Sequence, residues 1–476
     1  MLRPIIIGLA VSILLCSSPK AGADVGLVLN DSLDTSVARI TGSGHSAIYF
    51  SQICAETPVK MRLCRPGERG SIVSNYTSLG EDRPFQWNIV PLDVYLYGVA
   101  DPANRPLFSS EKIKNLLETE YREKVLRDYC VSERCRTSAK AEWREMVSAS
   151  SERTIYIFIV NTNRRQDLDL IAEFNAAPNV NHFNGVTRNC ADFSKHIINT
   201  YFSHATHRDL LNDFGISSPK AVARTLARYA HHHPELQYRV IHVAQLPGTL
   251  KRSSECRSAT EQLYRSKKLL VPMAFFAWHE LPVAAGSYLL TGRFNPEREF
   301  ERHGSARETA TEDEMKTAES DDDKIAAANL KEAEAQERAG AVGTPKEWAA
   351  YHEEFDSIVS EAVSDDLIPG RDSLDHMFKD LNEKGEPFLD DRGELWMEVD
   401  EGGETVKFGL SPSNVLAPGS NRPLAYQMIL AHVDDVLKSS ARRRETLLEF
   451  QQTWGLLEQV RAQLQSEKGP ALAMKR

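Results

Sequence analysis

Two residues of this chain, Cys190 and His45, have types and surroundings that suit nucleophilic chemistry. A cysteine attacks as its thiolate, which is favoured at a helix N-terminus by unpaired backbone N–H groups and the positive end of the dipole. In Cys190-Ala191-Asp192-Phe193-Ser194-Lys195-His196-Ile197-Ile198-Asn199, Phe193, Ile197 and Tyr201 recur at helical spacing after the loop-like stretch 181–189. Cys190 therefore stands at or near a helix start. A base must take its proton, and histidine suits that task because it titrates near neutrality. His45 is the favoured candidate: it follows Gly42-Ser43-Gly44 and opens the strand-like run His45-Ser46-Ala47-Ile48-Tyr49-Phe50.

Two other histidines compete for the role. His196 lies six residues along the helix from Cys190, about 9 Å along the axis and far round in angle, which fits a surface position better. His182 lies in the preceding loop, within reach of the site. For a third residue that orients the base, a bridge between Cys54 and Cys64 across antiparallel strands would set position 73 opposite His45. That register brings Ser71 and Asn75 into its neighbourhood. Asn75 can accept a hydrogen bond from an imidazole, and it also suits a turn.

The elements that must position these residues read as follows. From Val25 to about Val99 short β-rich runs alternate with turns, among them Ser46 to Phe50, Val59 to Leu63 and Val94 to Tyr97. Ile113, Leu116, Leu117, Tyr121 and Val125 share a helical face, with Ser109 or Ser110 as cap. Thr154 to Val160 reads as a buried central strand, followed by a helix around Gln166 to Phe174. A further helix, Lys220 to Tyr229, leads to the strand-like Tyr238 to Val243. Leu269 to Leu290 is apolar but interrupted by His279, Glu280 and Pro282, which fits buried structure or a peripheral membrane contact better than a span. Glu, Asp, Lys and Ala dominate 297–343, a linker or solvated helix. Beyond it come a helix over Trp348 to Val363 and a hairpin across Glu401-Gly402-Gly403. A last helix carries Leu447, Phe450, Trp454, Leu457 and Leu464 on one face.

Gly44-His45-Ser46-Ala47-Ile48-Tyr49-Phe50, followed far downstream by Asn189-Cys190-Ala191-Asp192-Phe193, resembles the permuted NlpC-type papain-like superfamily, in which the His-bearing strand precedes the Cys-bearing helix. The second motif is similar to the Asn-Cys-Glu-His-Phe box of lecithin retinol acyltransferase relatives, with Ala191-Asp192 in place of Glu-His. The resemblance covers roughly 25–245. It implies a small antiparallel sheet packed with helices, and thiol attack on an amide or ester through an acyl-enzyme. It also implies that the backbone N–H of Cys190 helps hold the oxyanion.

Export is expected too. Arg3, the apolar run Ile5 to Leu15 and Ala21-Gly22-Ala23 before Asp24 form a signal peptide, too short in its apolar part to span a bilayer. Leu15 stands where a lipoprotein signal at Cys16 would want a small residue. In an oxidising compartment Cys54 with Cys64, and Cys130 with Cys135, are close enough to pair. Cys190 and Cys256 remain, and pairing between them stays open.

The expected class is α+β: a signal peptide (1–23), a permuted papain-like catalytic domain (24–245), an apolar extension packed on it (246–296), an acidic linker (297–343) and a mainly helical C-terminal domain with a hairpin (344–476). The expected function is that of an exported, periplasmic or extracellular cysteine hydrolase or acyltransferase acting on a cell-wall peptide or lipid. An exported binding protein with a papain-like shell is the alternative. No cofactor or metal is expected: His231-His232-His233 reads as a polar helix end before Pro234, and Glu280 lacks a zinc-protease partner. Asp380 to Gly385 resembles only the start of a calcium loop. A formal charge of −10 argues against nucleic acid.

Overall fold

The computed structural model describes residues 23–33, 44–75, 86–133, 135, 142–180, 188–209, 213, 217–258, 260–262, 282, 285–286, 288–304, 345–439 and 447–473. The expected signal peptide lies outside these apart from Ala23, as does most of 269–290. The fold is α+β. Its first eight strands are β1 (Ala23–Asn30), β2 (His45–Phe50), β3 (Ile53–Thr57), β4 (Lys60–Leu63), β5 (Ser71–Ser74), β6 (Asn88–Pro91), β7 (Ile155–Thr162) and β8 (Arg239–Val243). Six of them make one antiparallel sheet in the order β6-β5-β2-β1-β7-β8, while β3 and β4 form a separate hairpin. The apolar run expected as a central strand is β7, paired on both edges.

Alternation along these strands divides the core in two. Val25, Leu27, Leu29, Ile48, Phe50 and Phe158 face a layer made by α3 (Arg164–Ala176), α4 (Cys190–Tyr201) and α5 (Pro219–His231). Val28, Ala47, Tyr49, Ile72, Ile157 and Ile159 face the other way, toward α1 (Leu92–Tyr97), α2 (Glu111–Lys124) and the C-terminal region. Ser110 caps α2 as expected, its hydroxyl accepting from the Ile113 N–H at 3.3 Å.

Val94 to Tyr97 reads as a strand in sequence and is helical in the structure. All six residues of α1 are buried, so no polar face marks the helical period, and a short continuous apolar run is ambiguous by pattern alone. Pro91 precedes the helix and Gly98, at φ 77°, ends it.

Two disulfides form as anticipated, Cys54–Cys64 and Cys130–Cys135, which is consistent with an exported protein. No helix among the described residues is long and apolar enough to cross a membrane. Residues 246–258 pack on the sheet layer, where Ser32 and Ser254 exchange backbone hydrogen bonds at 2.8 Å. The acidic stretch begins in ordered structure: α6 (Pro296–His303) is capped by Asn295, and its buried Phe300 lies 5.2 Å from the His242 ring. Residues 305–344 lie outside the described set.

The C-terminal region comprises α7 (Pro345–Ser364), α8 (Asp372–Lys384), β9 (Gly385–Leu389), β10 (Leu395–Glu401), β11 (Glu404–Gly409), α9 (Arg422–Lys438) and α10 (Leu447–Ala473). The expected hairpin is β10–β11, and Phe450, Trp454, Leu457 and Leu464 are the buried face of α10. Asp380 to Lys384 completes α8 and Gly385 starts β9, so no calcium loop exists there. This region shares one core with the sheet rather than standing apart. The Phe108 and Phe378 rings stack with centroids 5.1 Å apart, the Leu107 N–H donates to Leu410 O at 2.7 Å, and Lys112 Nζ donates to Gly385 O at 2.9 Å. Proteolysis within 305–344 is therefore expected to leave the two fragments together on native size exclusion, and Phe108→Ala to cost about 3–5 kcal/mol in urea unfolding. Fragments that separate in buffer would refute the shared core.

Candidate active site

The first turn of α4 is held from several sides. Asn189 is its cap, with Oδ1 accepting from the Asp192 N–H at 3.0 Å and Nδ2 donating to Ser217 O at 3.0 Å. Asp192 Oδ1 accepts from Ser217 Oγ at 2.6 Å, Arg208 Nη2 at 2.9 Å and Lys195 Nζ at 3.1 Å. Burial pushes this carboxyl up, but those bonds outweigh it and hold it below the usual range. Asp192 thus braces the turn that begins at Cys190.

Cys190 is a free, half-buried thiol. Its sulfur lies against Ser46: burial pushes the thiol up, while the Ser46 N–H and hydroxyl and the N–H groups of Ala191 and Cys190 act in the opposite sense without reversing it. Ser194 Oγ donates to the fully buried Ser46 Oγ at 3.1 Å, which ties α4 to β2. The fold therefore brings the thiol to the strand residue that follows His45.

The His45 imidazole is buried, with Nε2 2.7 Å from Ser74 Oγ. Burial holds it well below the ordinary histidine range and the Arg153 charge pushes it further, so it is neutral at physiological pH. In the tautomer whose Nε2–H donates to Ser74 Oγ, Nδ1 carries the lone pair that a base needs. Strand alternation turns the Ser46 hydroxyl toward α4 and the imidazole toward Ser74 and Asn30. Tyr95 stands on the imidazole side, its Oη accepting from Asn30 Nδ2 at 2.7 Å. Burial chiefly, with smaller contributions from Glu145 and then Cys190, pushes this phenol up to about 12. Cys190 thus meets β2 at Ser46, on the α4 face, while the His45 imidazole lies on the opposite face with Ser74.

Gly44 makes the entry to β2 possible. Its φ is +67°, and a Cβ there would lie 2.3 Å from Asn30 O and 2.9 Å from Cys256 Sγ. Cys256 is buried and outside the disulfides, its N–H donating to Asp31 Oδ1 at 3.2 Å, and burial raises its thiol well above the ordinary value. Neither Cys190 nor Cys256 is in a disulfide, so the alternative pairing does not form.

The register of β2 with β5 departs from the sequence expectation by three residues. Val73 lies opposite Ile48, not His45, because β3 and β4 leave the sheet as their own hairpin before the chain returns through Gly67 and Gly70. The residue on the imidazole is consequently Ser74. Asn75 follows it, buried, with Oδ1 lacking a hydrogen-bond partner among the described residues, and Ser71 lies opposite Phe50 at the far end of the pairing. Ser74 shares its face with Ile72 by alternation, a signal readable only once the register is known. His196 is exposed and 3.9 Å from Glu173, and His182 lies outside the described residues. Among the described residues, the groups of three that could hold a metal include neither Cys190 nor His45.

No family model, curated protein or solved structure matches this chain. The meaning of the site rests on its own chemistry.

Gly44→Ala is expected to cost about 1–3 kcal/mol from backbone strain alone, before any clash with the Asn30 carbonyl. An unchanged urea midpoint would contradict this packing.

Proposed function

We propose that this protein is an exported thiol hydrolase or acyl transferase that acts on an amide or ester carbonyl of a cell-wall peptide or lipid. The observation that carries the reading is Cys190: outside the two disulfides it remains a free thiol, at a helix N-terminus, with backbone and hydroxyl donors around its sulfur and Ser46, the residue after His45, against it.

The resting pair in this reading is a neutral thiol and a neutral imidazole. This reading requires the imidazole to reach the thiol around the start of β2: as the sulfur bonds to the carbonyl carbon, its proton passes to His45 and the carbonyl electron pair moves onto oxygen, where the Cys190 N–H is the nearby donor. Collapse of that intermediate expels the amine or alcohol, which takes the proton back from the imidazole. Water or a second acceptor then releases the acyl group from Cys190. Ser74 orients the ring through Nε2, the role expected from the sequence for Asn75. Burial leaves the His45 ring unprotonated and able to accept a proton, and at the same time makes it a weaker base than an exposed imidazole.

A second reading, an exported binding protein with a papain-like shell, draws on the burial of the same two groups. A thiol-directed acyl probe read by intact mass separates the two. One adduct per chain at Cys190 is expected, absent in Cys190→Ala, retained in Cys256→Ala and slowed about 10²- to 10⁴-fold in His45→Ala. Failure of the folded chain to react where the unfolded chain does would favour the binding shell.

Simple alkylation carries the pH test. Because the folded Cys190 thiol is raised, its thiolate fraction near neutrality lies below that of an unfolded-chain cysteine. Iodoacetamide labelling should therefore be slow at pH 7 and climb only above the ordinary cysteine range. Fast labelling at pH 6 would mean a resting thiolate–imidazolium pair and overturn the neutral ground state.

A further inference from the structure

We propose that His231, Glu299 and His303 form a binding site for a divalent transition-metal ion, with Zn²⁺ as the ion that two imidazoles and a carboxylate suit. His231 is the last residue of α5, while Glu299 and His303 stand four apart on α6 and so share one helix face. Their ligating atoms all lie within 4.8 Å of one another, and His231 Nε2 is 3.3 Å from Glu299 Oε2. Zinc bonds of about 2.0–2.1 Å in a tetrahedron set neighbouring ligand atoms roughly 3.3–3.4 Å apart. One pair already has that spacing, and side-chain rotation closes the rest.

The surroundings suit a metal as well as the ligands do. Glu299 is only 8% exposed, which makes a counter-charge valuable. Tyr238 Oη donates to Glu299 Oε2 at 3.4 Å, the kind of outer contact that orients a ligating carboxylate, and its ring stands edge-on to both imidazoles. The imidazole rings of His231 and His303 lie 4.8 Å apart. His231 is 35% exposed at its side chain, leaving room for a water or exchangeable ligand in the fourth position.

The neighbouring histidines have other work. His233 Nδ1 bonds Glu235 at 2.8 Å and its ring stacks on Tyr229, while His232 is the C-cap of α5. The rule that consecutive helical residues diverge holds for His232 and His233, but His231 is met by two ligands from far along the chain. An ion here would clasp α6, and with it the start of the acidic stretch, to α5 beside β8.

The test uses the full chain, stripped with chelator and titrated with Zn²⁺ by calorimetry, with Co²⁺ absorption as a spectroscopic check and Ca²⁺ as a control. One Zn²⁺ per chain is expected, with a raised thermal midpoint and no Ca²⁺ binding. Tyr238→Phe should weaken Zn²⁺ roughly 10- to 100-fold, and Glu299→Gln or His303→Ala by at least as much, each with its metal-free circular dichroism unchanged. The double variant His232→Ala/His233→Ala should keep the wild-type affinity. No saturable binding by the wild-type chain, wild-type affinity in His303→Ala, or loss of binding in the double variant would each overturn the site.

Discussion

β1 is hydrogen-bonded along both edges, to β2 and β7, and every residue from Val25 to Asn30 is buried. An antiparallel sheet commonly leaves one face to solvent, but a centre buried on both faces must be covered twice. Each large apolar side chain hidden there contributes about 1.5–3 kcal/mol, so exposing either face would remove more than a domain's net stability. One cover is the layer of α3, α4 and α5. The other is α1 and α2 together with the C-terminal region, which explains why residues far beyond the acidic stretch share the core of the first half.

The same constraint sets the chemistry of the thiol. Packing α4 on the sheet drives Cys190 against β2, where the Ser46–Ser194 hydrogen bond fixes the approach and Gly44 admits Cys256 beneath. A helix N-terminus typically favours an anion by only about 0.3–1 kcal/mol. Burial outweighs that and the local donors, raising the thiol and lowering the imidazole, so neither charge has to be desolvated before a substrate arrives. The charge separation is deferred to the step in which it is useful.

The thiols and the disulfides divide by location. Cys54–Cys64 closes the hairpin that leaves the sheet, and Cys130–Cys135 lies beyond α2, whereas Cys190 and Cys256 sit at the sheet end with Gly44 between β2 and Cys256. The ordered beginning of the acidic stretch follows a similar logic. α6 is almost wholly polar, yet Phe300 and Glu299 turn inward onto β8 and Tyr238, so one apolar residue and one carboxylate dock a segment whose composition reads as solvated.

Local pattern was enough, from the sequence by itself, for the α+β class, the helix opening at Cys190, the strand opening at His45, the central β7, the Ser110 cap, the β10–β11 hairpin and the two short-range disulfides. Each depends on periodicity, a capping residue or a spacing of ten residues or fewer. Tertiary structure alone decided that Val94 to Tyr97 is helical, because a run buried all round shows no period. It alone decided that Ser74 rather than Asn75 meets the imidazole, since register depends on where β3 and β4 leave the sheet. It also decided that the C-terminal helices dock, and that His231 meets Glu299 and His303, because contacts between residues distant in sequence are set by how the layers close over a doubly buried sheet, and no local window contains both partners.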